Sequence, residues 1–176
     1  ESSEIINSKK LYSKIPEKIY QGILKKSDNL ISESLLANVG YIYTDTISVD
    51  NGINKTLENL SQEIQNGVEW FDGSGLSRYN MVKPKTIIYI LNEIYNYWGL
   101  ERIKENFPNN YIIEGEKDFV WGKTGTLKNN HNYSGFIKNK KGKYYIFSIM
   151  INHFNSDLLD IKQSILDFLL YVNKNG

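Results

Sequence analysis

The chain has 176 residues, 40% hydrophobic and 23% charged, with a formal net charge of +1 and no cysteine. That length supports one domain with a packed core, and the near-neutral balance gives no electrostatic footprint for nucleic acid. The lack of thiols excludes disulfides, thiolate catalysis and cysteine-based zinc sites, and no apolar run is long enough to span a bilayer.

In chain order, residues 1–10 are polar and without periodicity, and are expected to fray. The first residue is Glu1 and no signal peptide opens the sequence, so the chain is expected to be a piece of a longer one. Ile19, Ile23 and Leu24 predict a short amphipathic helix from Pro16 to Lys26. Ser27-Asp28-Asn29 interrupts it with three turn-forming residues. A second helix carries Leu30, Ile31, Leu35, Leu36 and Val39 on one face, with Gly40 as its stop. The triplet between the two helices can point its side chains into a cleft.

Residues 54–66 read as a helix ending near Gly67, and Val68–Phe71 as a short strand running into the glycine-rich turn Asp72-Gly73-Ser74-Gly75. A helix follows from Pro84 to about Trp98, stopped by Gly99; residues 101–118 fit no single template. The last third changes character. Phe119-Val120-Trp121 leads as a strand into Lys123-Thr124-Gly125, and Tyr133–Lys138 and Tyr144–Asn152 form a hairpin about Asn139–Gly142. Residues 156–173 form a helix whose apolar residues cover more than half its surface, so it is expected to be buried on the sheet. The content is α+β, an antiparallel sheet flanked by helices.

Two segments could carry chemistry. Gly122-Lys123-Thr124-Gly125-Thr126 is no phosphate-binding loop, because the position five before Gly122 is Lys117 and the stretch between is not glycine-rich. A strand edge offering an ammonium, a hydroxyl and a side-chain-free step suits a substrate carboxylate; an ordinary surface strand fits the same triplet. In Ser27-Asp28-Asn29 the hydroxyl could relay a proton and the Asn29 amide hold a substrate amide; a plain helix cap is the simpler reading. Asp72-Gly73-Ser74-Gly75-Leu76-Ser77-Arg78 fits neither a nucleophile elbow nor a dinucleotide fingerprint. His131 and His153 have no partner at metal-ligand spacing and are assigned no role; no metal or organic cofactor is implied.

Taken in order, Lys26–Leu36, Asp72–Asn80, Gly122–Leu127 and Ser134-Gly135-Phe136 resemble class C low-molecular-mass penicillin-binding proteins, the D-alanyl-D-alanine carboxypeptidases/endopeptidases. The resemblance covers about residues 13–155 and implies part of a penicillin-binding/β-lactamase-like transpeptidase fold. By it, Ser27 shuttles a proton toward the leaving amine and Asn29 holds a substrate amide. Lys123 and Thr124 bind the terminal carboxylate of a peptidoglycan stem peptide or a β-lactam, across the open step at Gly125. The N–H of Thr126 forms one arm of an oxyanion hole, and Arg78 matches a position that contacts the stem's side-chain carboxylate.

The family nucleophile, a Ser three residues before a Lys, is absent, since no Lys of the chain has Ser at that spacing. Residues 1–176 are therefore expected to be the C-terminal portion of a D,D-peptidase domain, inactive alone. It would contribute three strands of a five-stranded sheet, with its last strand an open edge for the missing N-terminal part or for self-association. The resemblance implies a place in the cell envelope, periplasmic or extracytoplasmic. The competing reading is a catalytically inactive peptidoglycan-binding or scaffolding module, and a third is coincidental motifs in an unrelated α+β domain.

Overall fold

The computed structural model describes residues 14–110 and 118–176. Its elements are α1 (Glu17–Lys26), α2 (Asn29–Thr44), α3 (Val49–Glu58), α4 (Gln62–Gln65), β1 (Val68–Glu69), β2 (Met81–Val82), α5 (Pro84–Asn106), β3 (Val120–Leu127), β4 (Asn130–Lys138), β5 (Tyr144–Asn152) and α6 (Leu158–Asn175). The readings of residues 1–10 and of most of 111–118 lie outside the described residues.

α1 begins after Pro16, with Glu17 in its first turn and Lys25 and Lys26 in its last, each charge complementing the nearer helix end. α2 does not stop at Gly40 but runs on to Thr44. Gly40 instead lets α3 approach. A Cβ on Gly40 would stand 2.2 Å from the Ser48 carbonyl oxygen, and one on Gly52 would stand 2.0 Å from the Leu36 carbonyl oxygen. The predicted helix over 54–66 is two helices. Ser48 caps α3 by accepting the Asn51 N–H at 3.2 Å, and α4 follows after a break.

β1 is only two residues long and pairs antiparallel with β2, closing the base of the loop 70–80. Gly99 breaks the helix it was expected to end, at φ 71°, but the chain resumes helical form to Asn106. That backbone conformation strains side-chain-bearing residues and suits glycine. The kink turns Ile103 and Phe107 into the core beneath the sheet.

The main sheet is antiparallel in the order β3-β4-β5. β4 starts at Asn130, three residues before the predicted start, since Asn130 and His131 pair with both neighbours. On one face Val120, Tyr133 and Ile137 pack with Ile165 and Leu169 of α6. On the other, Trp121 and Phe136 pack with Leu91, Ile103 and Phe107. Each fully buried side chain of this size contributes about 1.5–3 kcal/mol. α6 packs on one face of the sheet as expected, through Ile165 and Leu169, while Leu159, Phe168 and Tyr171 are 72%, 52% and 65% exposed. Its extra apolar surface faces away from this sheet. Among the described residues β5 pairs on one side only.

Candidate active site

Ser27 lies between two helices in the left-handed region, at φ 53° and ψ 44°. Its neighbours fix that break. The Asp28 carboxylate accepts the Ile31 N–H at 3.0 Å, and the Ser32 hydroxyl donates to the Asp28 carbonyl at 3.0 Å. Asp28 is thus the cap of α2, which leaves Ser27 and Asn29 exposed beside it. The two readings of the triplet, cap and site, belong to different residues of it.

Lys123 arrives from β3. Its ammonium donates to Ser27 Oγ at 2.5 Å and to the Thr124 carbonyl at 2.7 Å. These two side chains are 96 positions apart in sequence. Burial holds the lysine below its ordinary value, because desolvation penalises the charged form. A serine hydroxyl touching a lysine of weakened proton affinity can pass a proton along that contact.

Strand alternation separates the other residues of the motif. Lys123 shares a sheet face with Trp121, whereas Thr124 is registered against Tyr133 and Thr126 against His131. Gly125 and Thr126 are exposed, and a Cβ at Gly125 would meet nothing within 4 Å. Among the described residues no strand pairs with the outer edge of β3; Gly122 is covered there, its N–H donating to the Pro108 carbonyl at 2.9 Å and its carbonyl accepting Asn110 Nδ2 at 3.3 Å, while Gly125 and Thr126 stay exposed.

The loop 72–80 closes one flank, held by two carboxylates. Asp72 accepts the N–H groups of Gly75 and Ser77 at 2.6 and 2.8 Å, and Asn80 Nδ2 at 3.0 Å. Burial would raise the Asp72 carboxyl, but the hydrogen bonds from Asn80, Gly75, Ser77 and Ser74 outweigh it and leave the group below its ordinary value. Glu33 of α2 accepts the N–H groups of Gly73 and Ser74, both at 2.7 Å. With its amide nitrogen facing the acceptors, Asn29 donates to the carbonyls of Ser27 and Ser74, each at 3.1 Å. The loop is thereby tied to the helix that carries Asn29. Arg78, at its far end, is exposed and donates to the Lys128 carbonyl at 3.3 Å, just beyond β3. Glu33 was not singled out by sequence, since nothing local marks a glutamate that binds 40 positions away. Asp72 carries a local signal, the Asx-turn propensity of Asp-Gly.

Next to this loop an apolar cleft of about 840 Å³ opens between α3, β1–β2 and α5, lined among others by Leu57, Leu60, Val68, Ile87 and Ile94. Met81 and Tyr97 on its rim are 60% and 84% exposed. Among the described residues no group of three or more His, Cys, Asp or Glu could hold a metal.

Comparison with known proteins gives a consistent set of matches. Residues 10–170 match the D-Ala-D-Ala carboxypeptidase 3 (S13) family. The chain is 31% identical over 174 residues to D-alanyl-D-alanine carboxypeptidase DacB of Haemophilus influenzae, covering 88% of this chain and 35% of that protein. It spans about a third of the length of the curated relatives it matches. The crystal structure of penicillin-binding protein 4 (dacB) from H. influenzae, complexed with a β-lactam, superposes with a TM-score of 0.71 and 27% identity, over 89% of this chain and 41% of that one. The TLA-1 extended-spectrum β-lactamase shares the fold alone, with a TM-score of 0.62 and 15% identity, over 89% of this chain and 62% of that one.

Proposed function

The chain belongs to the D-Ala-D-Ala carboxypeptidase 3 (S13) family, and from that premise we propose that it supplies the Ser-x-Asn and Lys-Thr-Gly half of a serine D-Ala-D-Ala carboxypeptidase/endopeptidase active site. The observation that carries this reading is the 2.5 Å contact between Lys123 and Ser27. Two motifs remote in sequence meet at the two atoms through which a proton would travel.

In this reading acylation begins at a serine of a Ser-x-x-Lys segment that the 176 residues do not contain. Ser27 returns a proton to the leaving amine, with Lys123 tuning its acidity and Asn29 holding the substrate amide. The ammonium of Lys123 and the hydroxyl of Thr124 bind the terminal carboxylate, the open step at Gly125 lets the peptide approach β3, and the Thr126 N–H steadies the tetrahedral oxyanion. Arg78 receives the stem's side-chain carboxylate, which requires it to leave the Lys128 carbonyl. Substrates are peptidoglycan stem peptides, β-lactams act as their mimics, and the work is done in the cell envelope. In the same reading two strands of the N-terminal part would pair with the open edge of β5, and that part would cover the 840 Å³ apolar cleft.

The test is acylation of the full-length protein by benzylpenicillin. A covalent adduct that is lost in Lys123→Met and slowed in Ser27→Ala supports the assignment. Reversible binding of stem peptide with no adduct supports the alternative of a peptidoglycan-binding or scaffolding module.

A further inference from the structure

We propose that His131 is a positioning residue for this site: as the Nδ1–H tautomer it donates to Thr126 Oγ1, so that the threonine's own hydroxyl proton faces outward to an anionic ligand on the edge of β3. The proposal rests on the reading of β3 as the substrate-binding edge, in which the Thr126 N–H meets the oxyanion; it adds a role for the Thr126 hydroxyl and a buried residue that fixes which way that donor points.

The two residues are registered opposite each other in β3 and β4, so their side chains share a sheet face. Thr126 is exposed, whereas His131 is 1% exposed. Their contact, Thr126 Oγ1 to His131 Nδ1, is 2.7 Å. A neutral imidazole has one N–H and one bare nitrogen, so this hydrogen bond has two forms. The other ring nitrogen decides between them. Nε2 is buried and has no hydrogen-bond partner among the described residues. In the Nε2–H form a buried donor goes without an acceptor; in the Nδ1–H form only a lone pair goes unmet. Orphaned buried N–H groups are the rarer of the two in folded proteins. Charging the ring is disfavoured as well, since burial and Lys162 of α6 lower its proton affinity.

The Nδ1–H form has one consequence at the surface. Thr126 Oγ1 is already an acceptor, and no other hydrogen bond to it is found among the described residues. Its single proton is therefore available to solvent or ligand rather than turned back to the ring. A hydroxyl fixed as an outward donor suits an anion, and it stands one residue beyond the open step of Gly125. In the opposite tautomer the hydroxyl would donate inward and present only lone pairs to a carboxylate.

The test has two arms. In the chain itself, long-range proton–nitrogen spectra of nitrogen-labelled histidine separate the tautomers, with His153→Gln assigning the two rings. Protonated Nδ1 and bare Nε2 on His131 are expected; the reverse pattern, or an average of the two, overturns the proposal. In the full-length protein, benzylpenicillin acylation is compared for His131→Leu, Thr126→Val, the double variant and His131→Asn. Each single loss is expected at about 10- to 100-fold, the scale of one hydrogen bond to a charged group. The double variant should fall no further than Thr126→Val alone. His131→Asn, whose amide N–H occupies the place of Nδ1–H, should recover most of the rate even if His131→Leu folds poorly. Single losses that multiply in the double variant, or an Asn variant as slow as the Leu variant, overturn the proposal. A wild type that is not acylated at all refutes the functional reading, and the spectra then judge the tautomer on its own.

Discussion

Removing the Glu33 carboxylate should release the loop 72–80 from α2 without unfolding the sheet. One oxygen of Glu33 accepts two backbone N–H groups, Gly73 and Ser74, at 2.7 Å each. Hydrogen bonds to a charged acceptor contribute about 1.5–3 kcal/mol apiece, at the low end where solvent can compete. Glu33 is half-buried, so at that low end the pair is worth about 3 kcal/mol for Glu33→Ala. At about 1.4 kcal/mol per tenfold, this predicts about 100-fold faster hydrogen exchange at the Gly73 and Ser74 amides. Glu33→Gln keeps an acceptor oxygen but not the charge, and should cost about tenfold. The amide of Phe136, inside β4, serves as the control and should be unchanged. If the Gly73 and Ser74 amides exchange at wild-type rates in Glu33→Ala, the loop is held by Asp72 alone and the clasp to α2 is not an energetic feature.

Gly52→Ala should destabilise by about 1–3 kcal/mol in denaturant unfolding, since its Cβ would stand 2.0 Å from backbone of α2 that has nowhere to move. Ser27→Gly should be more stable than Ser27→Ala by about 1 kcal/mol, because position 27 is left-handed; thermal unfolding of the two variants reads the difference, while both should slow acylation. Lys123 should make stability rise with pH at the alkaline end. Its folded value lies below the ordinary 10.5, so the unfolded chain binds the proton more tightly. The contribution is complete above the ordinary lysine value and is lost as pH falls through the folded one. Urea midpoints measured as pH falls from the ordinary lysine value of about 10.5 should show this slope, and Lys123→Met should remove it. His131 follows the same sign near neutrality: its lowered value costs stability as pH falls below about 6.5, and His131→Leu should flatten that loss.

The motif residues and the sheet were legible because each depends on local sequence. Alternation and the turn at 139–142 place β4 and β5, and the clash of turn formers with helix periodicity marks Ser27-Asp28-Asn29. Gly40 and Gly99 show where local rules mislead. A glycine after an apolar run reads as a helix stop, yet Gly40 is inside α2 because α3 crosses there, and Gly99 kinks α5 without ending it. α6 reads as buried on the sheet from its apolar count, and Ile165 and Leu169 are, but the count does not show that Phe168 and Tyr171 find no cover there. Glu33 was invisible for a different reason: its contacts with Gly73 and Ser74 are made 40 and 41 positions away and carry no local spacing. His131 lies only five residues from Thr126, but their contact depends on the register of β3 and β4.

The most direct test of the account is the intact mass of this 20.4 kDa chain after incubation with benzylpenicillin, alongside the full-length protein. The account predicts no covalent adduct on the chain alone and one on the full-length protein, at a serine outside these 176 residues. An adduct on the isolated chain, at Ser27 or any other of its serines, would contradict it.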